Sequence, residues 1–241
     1  MTQGENRPAH LQARIAEVTQ ETPSIRSFIL DTEGRPFHAL AGQWIDLIIE
    51  VDGQPKAAGL SLTSTPNDDG RLQVAVKRAV EHPVTRWLYE DADVGDTVTI
   101  SQGSGSFYYT PERGKKVILI GGGVGVTPLV SIFRYIDESV PDAEAHLLYS
   151  VSTADEILFR EELERRCADN PRLDMSVTVT GETGTWGGLT RYVNADLIRE
   201  HFLDPEALYY LCGPNAMVDH LIESLPELGI PADHLVYEKW W

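Results

Sequence analysis

The chain has 241 residues, of which 42% are hydrophobic, enough for two ordinary globular domains and too apolar for long disorder. A net charge of −17 disfavours binding to nucleic acid or to an anionic membrane, whose phosphates would repel it. Two cysteines cannot hold an iron–sulfur cluster or build a disulfide framework, and no spacing of His, Cys and carboxylates suits zinc. No metal is therefore expected, and any electron transfer needs an organic carrier.

Residues 1–9 are a polar tail without a signal-peptide pattern, and the longest mostly apolar stretch, 117–130, is glycine-broken and too short for a bilayer. A soluble cytoplasmic protein is expected. The basic residues are 15 Arg and 5 Lys. That acidic, lysine-poor surface suits a salty cytoplasm or simply an acidic enzyme, and both readings stay open.

Residues 10–112 read as antiparallel β, with strands expected at 11–18, 25–30, 43–51, 59–63, 72–80 and 97–101. Turn clusters separate them, among them Asp52-Gly53 and the segment 66–70. One helix is predicted at 83–90, opened by Pro83. Six short strands and one helix predict a small β-barrel. The pattern then changes, and residues 113–241 alternate strands at 116–120, 145–151, 173–180, 208–212 and 235–237 with helices at 128–137, 157–167, 193–201 and 216–225. Such alternation predicts an α/β domain with a parallel sheet.

The apolar strand 117–120 runs into Gly121-Gly122-Gly123-Val124-Gly125-Val126-Thr127-Pro128. Glycines let backbone approach a pyrophosphate, and free N–H groups at a helix start favour an anion. Thr127 and Pro128 suit the cap and first helical position. The spacing differs from Gly-x-Gly-x-x-Gly, because Val126 stands where its last glycine would be. The alternative is a tight strand–helix connection whose glycines serve packing alone.

Together with Cys212-Gly213-Pro214 after a late strand and the ending Tyr237-Glu238-Lys239-Trp240-Trp241, this turn resembles the ferredoxin–NADP reductase superfamily over nearly the whole chain. With Gly59-Leu60-Ser61, the ending looks most similar to its oxidoreductase NAD-binding domain-containing branch. The resemblance implies a flavin-binding barrel joined to an NAD(P)-binding domain, FAD rather than FMN as cofactor, and NADH or NADPH as co-substrate. It implies a dinucleotide held by Gly121 through Thr127 with Gly213 and Pro214, and Cys212 beside the nicotinamide. Glu238 would orient or relay protons near the flavin, and Trp240 and Trp241 would cover a cofactor ring. An ordinary buried cysteine, a surface carboxylate and a terminus tucked between domains are the alternatives, while Met217 reads as core.

The family's flavin motif Arg-x-Tyr-Ser is kept only at Ser61, since Ala58 and Leu60 replace its Arg and Tyr. A guanidinium clamp on phosphate is thereby lost, which Lys56 replaces only in part. The remaining expected flavin contacts are Thr63, Val76, Lys77, Arg78 and Thr85, the last at a helix start suited to pyrophosphate. Ser61, Cys212 and Glu238 are the expected catalytic group. Asp155 and Glu156 after the second α/β strand would repel a 2′-phosphate, which favours NADH, with Arg160 as a compensating charge. The electron acceptor is unspecified. Lys115 with Lys116, or Lys77 with Arg78 and Arg86, are candidate docking charges. A reductase, a flavin-less regulatory nucleotide-binding module and an electron-transfer subunit of a partner enzyme are the three readings.

Overall fold

The computed structural model describes residues 10–66, 70–79, 81–181 and 184–239. Val80, Trp240 and Trp241 lie outside the described residues. The first half forms an antiparallel sheet of β1 (His10–Thr22), β2 (Ile25–Asp31), β3 (Trp44–Val51), β4 (Gln54–Ser61), β5 (Arg71–Lys77) and β6 (Thr97–Ser101) in the order β4-β3-β6-β1-β2-β5. Its two edges meet where Leu62 bridges Val74 and the Thr63 amide donates to the Gln73 carbonyl at 2.8 Å, closing the sheet into a barrel. Helix α1 (Pro83–Glu90) plugs it with Val84 and Leu88.

Two strands run longer than their apolar pattern. Asp52 and Gly53 both take positive φ, 52° and 70°, the two-residue hairpin turn whose twist matches its strands. Strand β4 therefore starts at Gln54 and pairs with Val51, although Gln54 through Ala57 are exposed and carry no hydrophobic signal. β1 likewise extends to Thr22 by pairing with β2. β5 ends at Lys77, before the expected limit.

The second half is a wholly parallel sheet of β7 (Lys116–Gly122), β8 (Glu144–Val151), β9 (Leu173–Val179), β10 (Leu208–Gly213) and β11 (Leu235–Lys239), ordered β11-β10-β7-β8-β9. Helices α2 (Thr127–Ser139) and α3 (Arg160–Asp169) pack on one face, α4 (Ala195–His201) and α5 (Asn215–Glu227) on the other. The chain leaves β7 toward β8 and β9, then returns to build β10 and β11 on the opposite side. The sheet therefore reverses direction between β7 and β10, the place where open α/β sheets bind ligands outside their strand ends. Helix α3 starts three residues later than expected, because Ile157, Leu158 and Phe159 are buried before it begins.

The two halves share one core. Ile25, Ala41, Ala75, Phe107 and Tyr109 of the first half pack in the same buried cluster as α2 and the parallel sheet. Phe107 meets the ring of Tyr210 edge-on at 5.4 Å, and the Tyr210 hydroxyl donates to the Tyr108 carbonyl at 2.9 Å. Polar bonds cross the same seam: Arg134 of α2 donates to the Thr63 carbonyl at 2.8 Å and to Gln73 Oε1 at 2.6 Å. The same guanidinium is held on its other edge by both carboxylate oxygens of Glu162.

Burial alone would raise the carboxyl pKa of Glu162, yet hydrogen bonds from Arg134 and Arg166 hold it below the ordinary 4.5. A depressed carboxyl pKa stabilises the fold above the ordinary value and loses that contribution as pH falls through the folded pKa. The stability advantage of the native chain over Glu162→Gln, read from urea midpoints, is therefore expected to be constant from neutral pH to about 5 and to shrink below it. An advantage that instead grows on acidification would contradict this arrangement.

Candidate functional site

At the reversal point the parallel register sets Gly121 beside Cys212 and Cys212 beside Glu238, one residue from each of three adjoining strand ends. β7 carries the chain through Gly122, Gly123 turns with φ +54°, and a single 3₁₀ turn (Gly123–Val126) leads directly into α2. Thr127 is thus the first helical residue, one place later than its expected cap position. Its hydroxyl closes the turn by donating to the Val124 carbonyl at 2.9 Å.

The glycine turn lies backbone-on-backbone against the turn that follows β10. A Cβ on Gly125 would stand 2.5 Å from Gly213 Cα and 2.8 Å from the Cys212 carbonyl oxygen. A Cβ on Gly122 would stand 2.6 Å from the Pro214 ring. A Cβ on Gly123, by contrast, meets nothing within 4 Å. Two of these glycines let the loops touch, and the third leaves space above them.

That space belongs to a cavity of about 500 Å³ walled from both halves of the chain. The barrel contributes Ser61 from the end of β4, Val76 and Lys77 from β5, Arg78 beyond it and Thr85 from the first turn of α1. Facing them are Gly122, Gly123, Val124, Gly125, Thr127, Gly213 and Pro214. Sequence reasoning did not single out Gly59, Ala75 and Ala79 as part of this wall. Their one available signal is small size on the strands flanking the expected contacts. Leu60, seen in the sequence as a departure from a motif, also lines it.

Among the described residues, five expected site residues are not in the wall. Cys212 is wholly buried beneath it, and Gly121 and Val126 lie beneath the glycine turn. Glu238 sits half-buried on β11, the neighbour of Cys212. Thr63 corrects its expected role as a cofactor contact: it is fully buried, and its hydroxyl donates to Gln73 Oε1 at 2.9 Å because the chain has already left β4 for the interdomain seam.

The cavity suits a flat ring system carrying phosphate. Leu60, Ala75 and Val76 give apolar walls, the Ser61 side chain adds a hydroxyl, and Lys77, Arg78 and the N-terminal turn of α1 gather positive charge at one side. Lys77 makes no ion pair among the described residues, and Arg78 pairs only loosely with Glu90 at 3.6 Å. Ala58 is buried with the barrel core and Lys56 is exposed, so neither reaches the wall. Lys115 and Lys116 are engaged by Asp142, Asp204 and Glu206 at the opposite end of the sheet.

Of the two carboxylates expected to face a ribose phosphate, only Asp155 is exposed. Glu156 accepts hydrogen bonds from Thr22 at 3.0 Å and Ser24 at 2.6 Å, and so joins the seam instead. Arg160 pairs with Glu164 at 2.8 Å and lies over the Trp186 ring. Among the described residues no cluster of His, Cys and carboxylates is placed to hold a metal, and no helix is long and apolar enough to cross a membrane.

Comparison with known proteins follows the two halves. Residues 12–109 match the oxidoreductase FAD-binding domain family, and residues 119–222 match the oxidoreductase NAD-binding domain family. Oxidoreductase NAD-binding domain-containing protein 1 of Danio rerio is 29% identical, over 95% of this chain and 91% of that protein. NADH-cytochrome b5 reductase 1 of Mortierella alpina is 26% identical, over 84% of this chain and 68% of that protein. The FAD/NAD-binding domain of nitric oxide dioxygenase from Vibrio cholerae superposes with a TM-score of 0.86 at 25% identity, over 95% of this chain and 98% of that one.

Gly125 provides a local test of the loop contact. Gly125→Ala is expected to weaken NAD⁺ binding at least about tenfold in calorimetry, ~1.4 kcal/mol, because the added carbon meets backbone that cannot step aside. Gly187→Ala, where a Cβ meets nothing, is expected to leave the affinity unchanged. Equal affinity in both variants would contradict the contact.

Proposed function

We propose that the chain, whose halves match the oxidoreductase FAD-binding and NAD-binding domain families, is a member of the ferredoxin–NADP reductase superfamily and an NAD(P)H-dependent flavin-containing reductase that uses FAD, favours NADH and delivers electrons to a separate acceptor. The observation that carries this reading is a cavity walled by the barrel's Ser61, Lys77, Arg78 and Thr85 on one side and the glycine turn with Gly213-Pro214 on the other. When bound, the cofactor pair supplies hydride transfer from a nicotinamide to a flavin ring, a reaction that depends on close, oriented approach.

In this reading the protein's own groups bind and orient. The glycine turn and the first turn of α2 present backbone N–H groups and a positive helix end to the dinucleotide phosphates. Gly213 and Pro214 form a low floor above Cys212, so no bulky side chain stands between the two halves of the cavity. Ser61 offers the hydroxyl that hydrogen-bonds the flavin ring. Lys77, Arg78 and Thr85 take over the phosphate charge that an arginine at position 58 would otherwise hold. Glu238 orients protons at the cavity edge through its place beside Cys212.

Preference for NADH follows from the mouth of β8. Asp155 is exposed there, and Arg160 is already paired with Glu164 and stacked on Trp186. A 2′-phosphate would meet a negative charge and no ready partner. The acceptor, a protein or a small molecule, would approach the cavity mouth, where Lys77 and Arg78 remain available while Lys115 and Lys116 are committed elsewhere. A second reading, a nucleotide-binding module without flavin, is favoured by one observation: Ala58 lies buried and away from the wall.

The visible spectrum separates the two. Purified protein, or protein titrated with FAD, is expected to show flavin absorbance that bleaches when NADH is added without oxygen. NADPH should bleach it more slowly by about tenfold, what one missing charge-assisted hydrogen bond (~1.5 kcal/mol) is worth. Absence of any spectral change with FAD or FMN would overturn the reductase reading, and faster bleaching by NADPH would overturn the nucleotide preference.

A further inference from the structure

We propose that Arg134 is a positioning residue for the two cofactors, setting the strand end that carries Ser61 against the helix that carries the glycine turn. Its effect on hydride transfer rests on the flavin reading above; its coupling of the two domains does not.

Arg134 is 8% exposed and lies two helical turns beyond Thr127, on the helix that begins where the glycine turn ends. One of its terminal nitrogens donates to the Thr63 carbonyl at 2.8 Å and to Gln73 Oε1 at 2.6 Å, and Thr63 is two residues past Ser61. Gln73 is two residues before Ala75 and three before Val76, which line the barrel wall beside Ser61. A single guanidinium therefore ties both barrel strands that flank the cavity to α2.

The remaining donors point into the α/β half. Nε and the second terminal nitrogen grip Glu162 at 2.9 and 2.5 Å. The ring of Phe159 lies under the guanidinium, 4.5 Å from centroid to Cζ, and Phe159 holds a left-handed φ of 55° that L residues seldom adopt. One turn earlier on α2, the hydroxyl of Ser131 donates to the Ser64 carbonyl at 2.6 Å and accepts from the Gly42 amide at 3.3 Å. Two side chains of one helix thus fix the 63–64 segment from adjoining turns.

The geometry needs a planar fork. Lysine brings the charge but only a point donor on a flexible stem, so it cannot bridge Thr63, Gln73 and Glu162 in one plane. A shift of the barrel wall by a fraction of an ångström would leave each cofactor bound and the distance between them wrong.

The test uses the flavin-loaded full chain and the Arg134→Lys and Arg134→Met variants. At saturating NADH, anaerobic bleaching is expected to slow by roughly 10–100-fold in both, with FAD content and NADH affinity within about twofold of the native chain. The long-wavelength absorbance that NAD⁺ induces on the reduced protein should weaken in parallel. Native bleaching rate and native long-wavelength absorbance in Arg134→Lys would overturn the proposal. So would a loss of rate that merely tracks lost FAD or weakened NADH binding, which would make Arg134 a structural prop. If the native chain does not bleach at all, the flavin reading fails and the coupling is read from the flavin-free protein. There NAD⁺ is expected to raise the thermal unfolding of barrel and α/β domain together in the native chain but only of the α/β domain in Arg134→Lys. A joint rise in both proteins would overturn the proposal.

Discussion

Everything at the reversal of the parallel sheet depends on two turns touching through backbone. Gly125 lies so close to Gly213 and the Cys212 carbonyl that even a methyl group has no room, and Gly122 meets Pro214 in the same way. Because the ends of β7 and β10 press together, the space above them is shallow, open and free of side chains. A dinucleotide needs such a place: phosphate oxygens reach N–H groups only when nothing larger than hydrogen intervenes. The row Gly121, Cys212 and Glu238 continues the same packing across the adjoining strand ends.

This floor is useful only because the barrel is held over it. The seam is a continuous apolar core of Phe107, Tyr109, Tyr210 and the α2 face, so the halves do not meet as independent surfaces. Across it run polar bonds of high directional content, from Arg134 and Ser131 on α2 and from Thr22 and Ser24 to Glu156. Apolar burial holds the halves together, and the hydrogen bonds fix their register. For a transfer between two ligands held in different domains, register is the quantity that matters.

Much of this was legible in the sequence. Period-two strands followed by alternating strands and helices define a barrel and a parallel α/β domain, and the glycine run after residues 117–120 marks the floor of the cavity. What escaped depends on partners distant in the chain. Residues 54–57 form a strand by pairing with β3, not by their own pattern. Arg134 carries no signal within its own helix, since its barrel partners lie 61 and 71 residues away. Glu156 reads as a charge facing a nucleotide, whereas hydroxyls more than 130 residues earlier claim it. Thr63 reads as the continuation of the Ser61 strand but has already turned into the seam.

In the proposed reductase a nicotinamide and a flavin meet face to face in the cavity between the glycine turn and the barrel wall. The most direct measurement is anaerobic bleaching with NADH deuterated on one or the other face of its C4 carbon. Direct transfer within a fixed cavity predicts slower bleaching for one labelled form only, with the deuterium lost from that face of the nicotinamide. Equal rates for the two labelled forms, or loss of label from both faces, would contradict it.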